Sequence, residues 1–193
     1  MCAAVDQGST AIQDPPSFNN VGSAIALLGF GLAVFAVAST GAIFRPGDWY
    51  ERLNKPNWRP PNWLFGPAWA TLYAMIAIAG WIVWREFGFS GAPAAFAFYT
   101  LQLALNALWS PIFFGLKRPG IAMAELVFLW LAIAATIVAF NSFVQTAALL
   151  LLPYLAWVTF AGALNFAIWH MNQTSKIQKI QNADNRYGSN REH

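Results

Sequence analysis

The sequence predicts an all-α integral membrane protein folded as a bundle of five transmembrane helices. Three observations predict it. The 193 residues are 58% hydrophobic and only 10% charged, whereas soluble domains carry about 25% charged residues. Five apolar runs reach the ~20 residues that a bilayer-crossing helix needs. Of the eleven Lys and Arg, only Arg85 falls on the side that those five crossings assign to the N-terminus.

The elements follow in order. Met1 to Asn20 holds Asp6 and Asp14 but no Lys or Arg. It lacks the positive start and short apolar core of a secretory signal and is expected to be a mobile tail. The membrane domain spans 21–172. Its first run is Val21 to Phe44, with Gly29, Ala33 and Gly41 giving it a partly small face. Trp49 to Asn62 is polar, basic and stiffened by Pro56, Pro60 and Pro61. This first loop precedes the second run, Trp63 to Trp84, because consecutive prolines end what comes before and preset φ for the helix that follows. A turn at Gly88 to Gly91 leads to the third run, Ala92 to Phe114. Pro119 starts the fourth, Pro119 to Phe140, and the fifth is Thr146 to Trp169. Connections after the first are short, so consecutive helices are expected to be antiparallel neighbours. From Asn172 the chain turns polar and is expected to be disordered, with 173–193 as the C-terminal tail.

Orientation follows from Lys and Arg. Arg45, Arg52, Lys55 and Arg59 lie in the first loop, Lys117 and Arg118 in the third, and Lys176, Lys179, Arg186 and Arg191 in the C-terminal tail. The N-terminus is therefore expected outside and the C-terminus in the cytoplasm or cytosol. One cysteine, Cys2, excludes an internal disulfide framework and a cysteine-rich metal site. The sequence has no dinucleotide fingerprint, P-loop, zinc-protease or nucleic-acid motif, so no metal, required cofactor or nucleic-acid partner is expected.

Polar residues inside the runs are few, and each is informative. Gln102, Asn106 and Ser110 recur at i, i+4 and i+8 on the third run and form one stripe, with Trp109 beside it. Amides facing lipid are costly, so the stripe turns toward other helices. It serves either as inter-helix packing or as the polar part of a cavity. Glu125 is the one carboxylate in any run and has a structural hydrogen bond or a proton relay as its alternatives. Tyr154, Trp157, Ala161 and Asn165 share a face of the fifth run, and Trp69 and Tyr73 share one on the second. Three helices thus present aromatic and polar stripes. A bundle interior walled by Trp and Tyr with a few amides suits a flat, mostly apolar ligand. Pro67, Pro111 and Pro153 interrupt three runs, where each is either a kink that opens space or simply tolerated. His170, next to Trp169, reads as an interfacial anchor, with haem ligation as the alternative.

Four ordered motifs carry a resemblance. They are W-Y-x-x-L-x-K-P-x-W-x-P-P from Trp49 to Pro61, F-G-x-x-W-x-x-L-Y from Phe65 to Tyr73, Q-L-x-L-N-x-x-W-S-x-x-F-F from Gln102 to Phe114, and P-Y-L-A-W-x-x-F-A-x-x-L-N from Pro153 to Asn165. The match they anchor runs from about Arg45 to Asn172, most of the chain, and there the sequence resembles the TspO/MBR family of tryptophan-rich sensory proteins and translocator proteins. The resemblance implies a five-helix bundle, a homodimer, and a ligand cavity capped by the first loop. It also implies binding of porphyrins such as protoporphyrin IX and haem, and in some bacterial members light-dependent porphyrin breakdown. Trp69 and Trp157 match the tryptophans tied to ligand contact and to that breakdown. Tyr50, Tyr73, Asn106, Trp109 and Ala161 match cavity positions.

Trp58, Tyr154 and Asn165 complete the expected ligand-binding set. Arg52, Lys55 and Arg59 are the expected partners for the propionates, which cannot enter an apolar interior unpaired. The chain departs from its animal relatives in the cholesterol-recognition segment. Phe166 replaces the tyrosine, and no Lys or Arg follows before Lys176. The expected function is membrane-embedded tetrapyrrole binding and sensing. Transport of porphyrins, lipids or sterols is the second reading, and photochemical porphyrin degradation the third.

Overall fold

A computed structural model describes residues 20–189 of the chain, and side chains as far as Thr174. The N-terminal segment expected to be a mobile tail lies outside the described residues, apart from Asn20. Among the described residues there is no strand. The helices are α1 (Asn20–Ile43), a short α2 (Asp48–Glu51), α3 (Asn62–Gly91), α4 (Pro93–Ser110), α5 (Pro119–Asn141) and α6 (Gln145–Ser189).

Four of them, α1, α3, α5 and α6, are long and apolar enough to cross a membrane, as an integral multi-pass protein requires. α4 is not in that group. It has 18 residues and carries Gln102 and Asn106, which lower its hydropathy.

α1 ends where Arg45 donates from Nε to the Ala42 carbonyl at 2.7 Å, just before Pro46. Ser39 and Thr40 return their hydroxyls to the carbonyls of Phe35 and Val37, so neither is left unpaired on an apolar helix. α3 begins immediately after Pro61, whose φ of −63° and ψ of 145° hold the entry extended. It is broken at Gly88, with φ 65° and ψ 178°, in the left-handed half of backbone space that favours glycine. The chain then reverses through Ala92, and Pro93 opens α4 in the position where a missing N–H costs nothing.

Pro111 does not kink α4 so much as widen it. Pro111–Gly115 forms a π-helical turn, and Leu116 N–H reaches the Pro111 carbonyl at 2.8 Å. A proline cannot donate to the turn behind it, and the widened turn begins at that residue. Pro67 and Pro153 stay within continuous helices.

The long helices form a ring in the order α1, α3, α6, α5, α4. Consecutive α4 and α5, and α5 and α6, pack closely as their short loops predict. α3 and α4 depart from that expectation. They are consecutive yet touch sparsely, because α1 packs against both. The three meet at Gly80, where a Cβ would lie 2.7 Å from the Tyr99 ring and 2.9 Å from Phe30. There Tyr99 donates its hydroxyl to the Ile76 carbonyl at 3.1 Å. Absence of a side chain lets an aromatic from each neighbour close on α3.

The core has two parts. The larger fills the bundle, from Phe30 and Val34 through Ile76, Tyr99 and Leu129 to Leu151 and Val158. The smaller gathers Tyr50, Phe113, Ala122, Leu164 and Ile168 beneath the first loop. Outward faces carry Leu28, Phe35, Phe128 and Val138, as a helix facing hydrocarbon requires. The disorder expected from Asn172 onward is not what the fold shows, since α6 runs on to Ser189. No proline interrupts the segment, and extending an existing helix avoids the cost of nucleation.

Candidate functional site: an aromatic cavity under the first loop

A cavity of about 710 Å³ lies between the smaller core cluster and the middle of the bundle. Trp69, Tyr73, Trp109 and Trp157 form much of its wall, and Tyr50, Phe65, Phe113 and Phe114 close it toward the loop. The rings hold one another. Trp69 stacks on Tyr73 at 5.2 Å between centroids and meets Trp157 edge-on at 6.5 Å. Trp109 stacks on Phe113 at 5.1 Å, and Phe65 lies edge-on to Trp157 at 5.8 Å. Stacked and edge-on contacts within and between helices position these rings.

One polar chain crosses the bundle at this level. Tyr73 of α3 donates to Asn106 Oδ1 at 2.9 Å, and Asn106 Nδ2 donates to the Tyr154 hydroxyl of α6 at 2.7 Å. A single α4 amide thus ties three helices together. Asn165 donates to the Pro119 carbonyl at 3.2 Å and joins α6 to the start of α5. Its Oδ1, and the indole N–H groups of Trp109 and Trp157, have no protein partner, and all three residues line the cavity. Buried polar atoms are normally paired, and these three are left without a hydrogen-bond partner beside the cavity. Gln102 and Glu125 are buried in the bundle, also without a protein partner, and neither lines the cavity.

The first loop forms the cap. Tyr50 is buried edge-on against Phe113 and Phe114. Lys55 Nζ lies 4.7 Å from the centre of its ring and Arg59 Cζ 6.0 Å. Both cations are thus held on the side of Tyr50 as cation–π partners. Lys55 also bonds the Glu51 carbonyl at 2.9 Å and pairs with its carboxylate at 3.6 Å. At the loop's far end Asn172 makes a two-way amide clamp. It donates from Nδ2 to the Asn54 carbonyl and accepts the Asn54 N–H on Oδ1, each at 3.0 Å. The loop is thereby pinned to α6.

Eight of the residues expected to bind ligand therefore line one space: Tyr50, Trp69, Tyr73, Asn106, Trp109, Trp157, Ala161 and Asn165. Two stand apart. Tyr154 is fully buried behind Asn106, and Trp58 is half exposed, edge-on to Phe160 outside the cavity. Of the cations expected to meet propionates, Arg52, Lys55 and Arg59 are not in the lining. Arg45 is, together with Glu51 and Asn62. His170 is exposed and stacked on Phe166, away from the cavity. Sequence reasoning missed Phe65, Phe113, Phe114 and the Leu126–Leu129 pair of α5 as lining. The first three stand inside the quoted motifs and were legible there, whereas Leu126 and Leu129 carry no signal beyond being apolar.

The sequence pattern of the TspO/MBR family matches residues 26–170. The chain belongs to the TspO/MBR family. Among its relatives, Protein CrtK of Rhodobacter capsulatus is 46% identical over 150 residues, covering 75% of this chain and 91% of that protein. The tryptophan-rich sensory protein of Cereibacter sphaeroides is 44% identical over 145 residues, 75% and 90% of the two chains. The human Translocator protein is 42% identical over 150 residues, 75% and 89%. In this TspO/MBR chain the matched span begins within α1 and ends at His170. The described cavity lining lies wholly inside it.

Proposed function

We propose that this TspO/MBR protein binds and senses tetrapyrroles, of the protoporphyrin IX and haem type, inside the membrane. One observation carries the reading: a cavity of about 710 Å³ walled by Trp69, Tyr73, Trp109 and Trp157. A porphyrin is a flat apolar plate with carboxylates at one edge. Indole and phenol faces suit the plate. The carboxylates belong at the cap, where Arg45 lines the cavity and Arg59, whose Nη1 has no hydrogen-bond partner, lies over Tyr50 beside it. Lys55 and Arg52 add positive charge around it. The names of two relatives, a tryptophan-rich sensory protein and a translocator protein, fit a sensing or carrying role.

In this reading α4 and its π-helical turn are the fifth crossing. Gln102 and Asn106 are buried while Phe98, Leu101 and Leu108 face outward, so the lipid-facing side of α4 stays apolar. The cap lies on the cytosolic side, following the Lys and Arg distribution. The partners are the bilayer, the tetrapyrrole and a second copy of the chain. No bound metal or cofactor is needed for binding. The experiment is fluorescence titration of the purified chain with protoporphyrin IX. The paired Trp69→Phe and Trp157→Phe substitutions should weaken affinity about tenfold, as expected for two diminished ring contacts. Unchanged affinity and quenching would overturn the pocket.

A further inference from the structure

A second apolar recess lies on the outer face of the bundle, between α3 and α6. Ala68, Thr71, Leu72 and Met75 line it from α3, and Pro153, Ala156, Trp157 and Phe160 from α6. It sits on two helices apolar enough to cross a bilayer, so it faces hydrocarbon. Among the described residues, Trp157 alone lines both this recess and the internal cavity. One indole is the partition between the lipid side and the interior.

That partition is held by ring contacts and by no side-chain hydrogen bond. Trp157 Nε1 has no hydrogen-bond partner. Its ring meets Trp69 and Phe65 edge-on and Phe160 at a 45° tilt, with no parallel stack. Tyr154, one turn earlier, is by contrast fully buried and bonded to Asn106. The helices beside it stay continuous but lack backbone donors. Pro153 lies four residues before Trp157 and Pro67 two residues before Trp69, and a proline leaves the carbonyl four residues back without its helical donor. Turning the indole aside breaks no hydrogen bond. Opening the cap would break both arms of the Asn172–Asn54 clamp and lift Tyr50 from between Phe113 and Phe114.

We propose that the ligand enters sideways from the bilayer, through the α3–α6 recess, with Trp157 as the gate, while the cap stays shut. The passing molecule is the membrane-dissolved tetrapyrrole of the function proposed above, on which this inference rests. An amphiphilic plate partitions into hydrocarbon before it meets the protein. The apolar faces pass through the recess, while the carboxylates trail at the cap-side membrane surface and never enter the apolar interior unpaired.

The test is stopped-flow quenching of protoporphyrin IX by the full chain in phosphatidylcholine nanodiscs. Ala156→Phe and, separately, Thr71→Phe fill the recess from opposite lips, and neither residue lines the cavity. Each should slow association and dissociation together by about tenfold while leaving Kd unchanged, since a higher barrier slows both directions equally. Asn172→Ala, which frees the cap, should leave the association rate unchanged. Association that is unaffected by both recess variants, or that quickens in Asn172→Ala, overturns the lateral route and leaves the binding function standing. If the parent chain shows no saturable quenching, the binding function falls and the route falls with it.

Discussion

At the scale of single residues, the site rests on one amide. Asn106 uses its oxygen for Tyr73 and its nitrogen for Tyr154. It is 7% exposed, and both bonds lie inside the bundle. Asn106→Ala should lower stability by about 2 kcal/mol, the worth of two buried hydrogen bonds with their donor and acceptor orphaned. Thermal unfolding in detergent is the measurement. A loss no larger than that of an exposed Asn→Ala change would show that the tyrosines re-pair. The periodicity of Gln102, Asn106 and Ser110 placed all three on one face, and they do point inward. It did not separate their fates. Asn106 meets two phenols, Ser110 lines the cavity, and Gln102 finds no hydrogen-bond partner. Which of three equivalent positions finds a partner depends on what stands across the gap, and that is a property of α3 and α6 rather than of α4.

At the scale of elements, the first loop is the part most altered by folding. As sequence it is a cationic, proline-rich stretch, and positive charge beside a membrane helix is accounted for by topology alone. In the fold its tyrosine is buried and two of its cations lie over that ring. The lining instead includes Arg45, which is fixed at the end of α1 by its bond to Ala42. The Asn172 clamp was legible only as a polar residue after Trp169. Its partner is 118 residues away, and no local pattern encodes such a pairing. Asn172→Ala should speed amide hydrogen exchange at residues 49–59 by about tenfold or more, reflecting local opening of the loop, with little change in the helices. Uniform acceleration across the chain would instead mean that Asn172 supports the whole bundle. The helical extension to Ser189 has the same character. Composition argued for disorder, and attachment to a preformed helix decided otherwise.

At the scale of the whole molecule, the described basic residues outside Arg85 gather at the cap end, where loop and helix ends meet. With Cys2 replaced by Ser, Ser90→Cys should react with a membrane-impermeant maleimide on intact cells. Lys117→Cys should react only after permeabilisation. The opposite pattern would invert the proposed orientation. Composition, run length and proline placement were enough to establish an all-helical membrane protein and to locate its long helices. Those features reflect local and solvent physics: unpaired backbone is intolerable in hydrocarbon, so each apolar run must form a helix. Ring order was beyond them. α1 between α3 and α4, the bare face of Gly80 under two aromatics, and Trp157 shared by two spaces arise from contacts between distant segments. The sequence could name the tryptophans and their helix faces because periodicity is written along the chain. Only packing determined that they enclose a cavity rather than fill a core, because the volume left between helices depends on all the surrounding side chains at once.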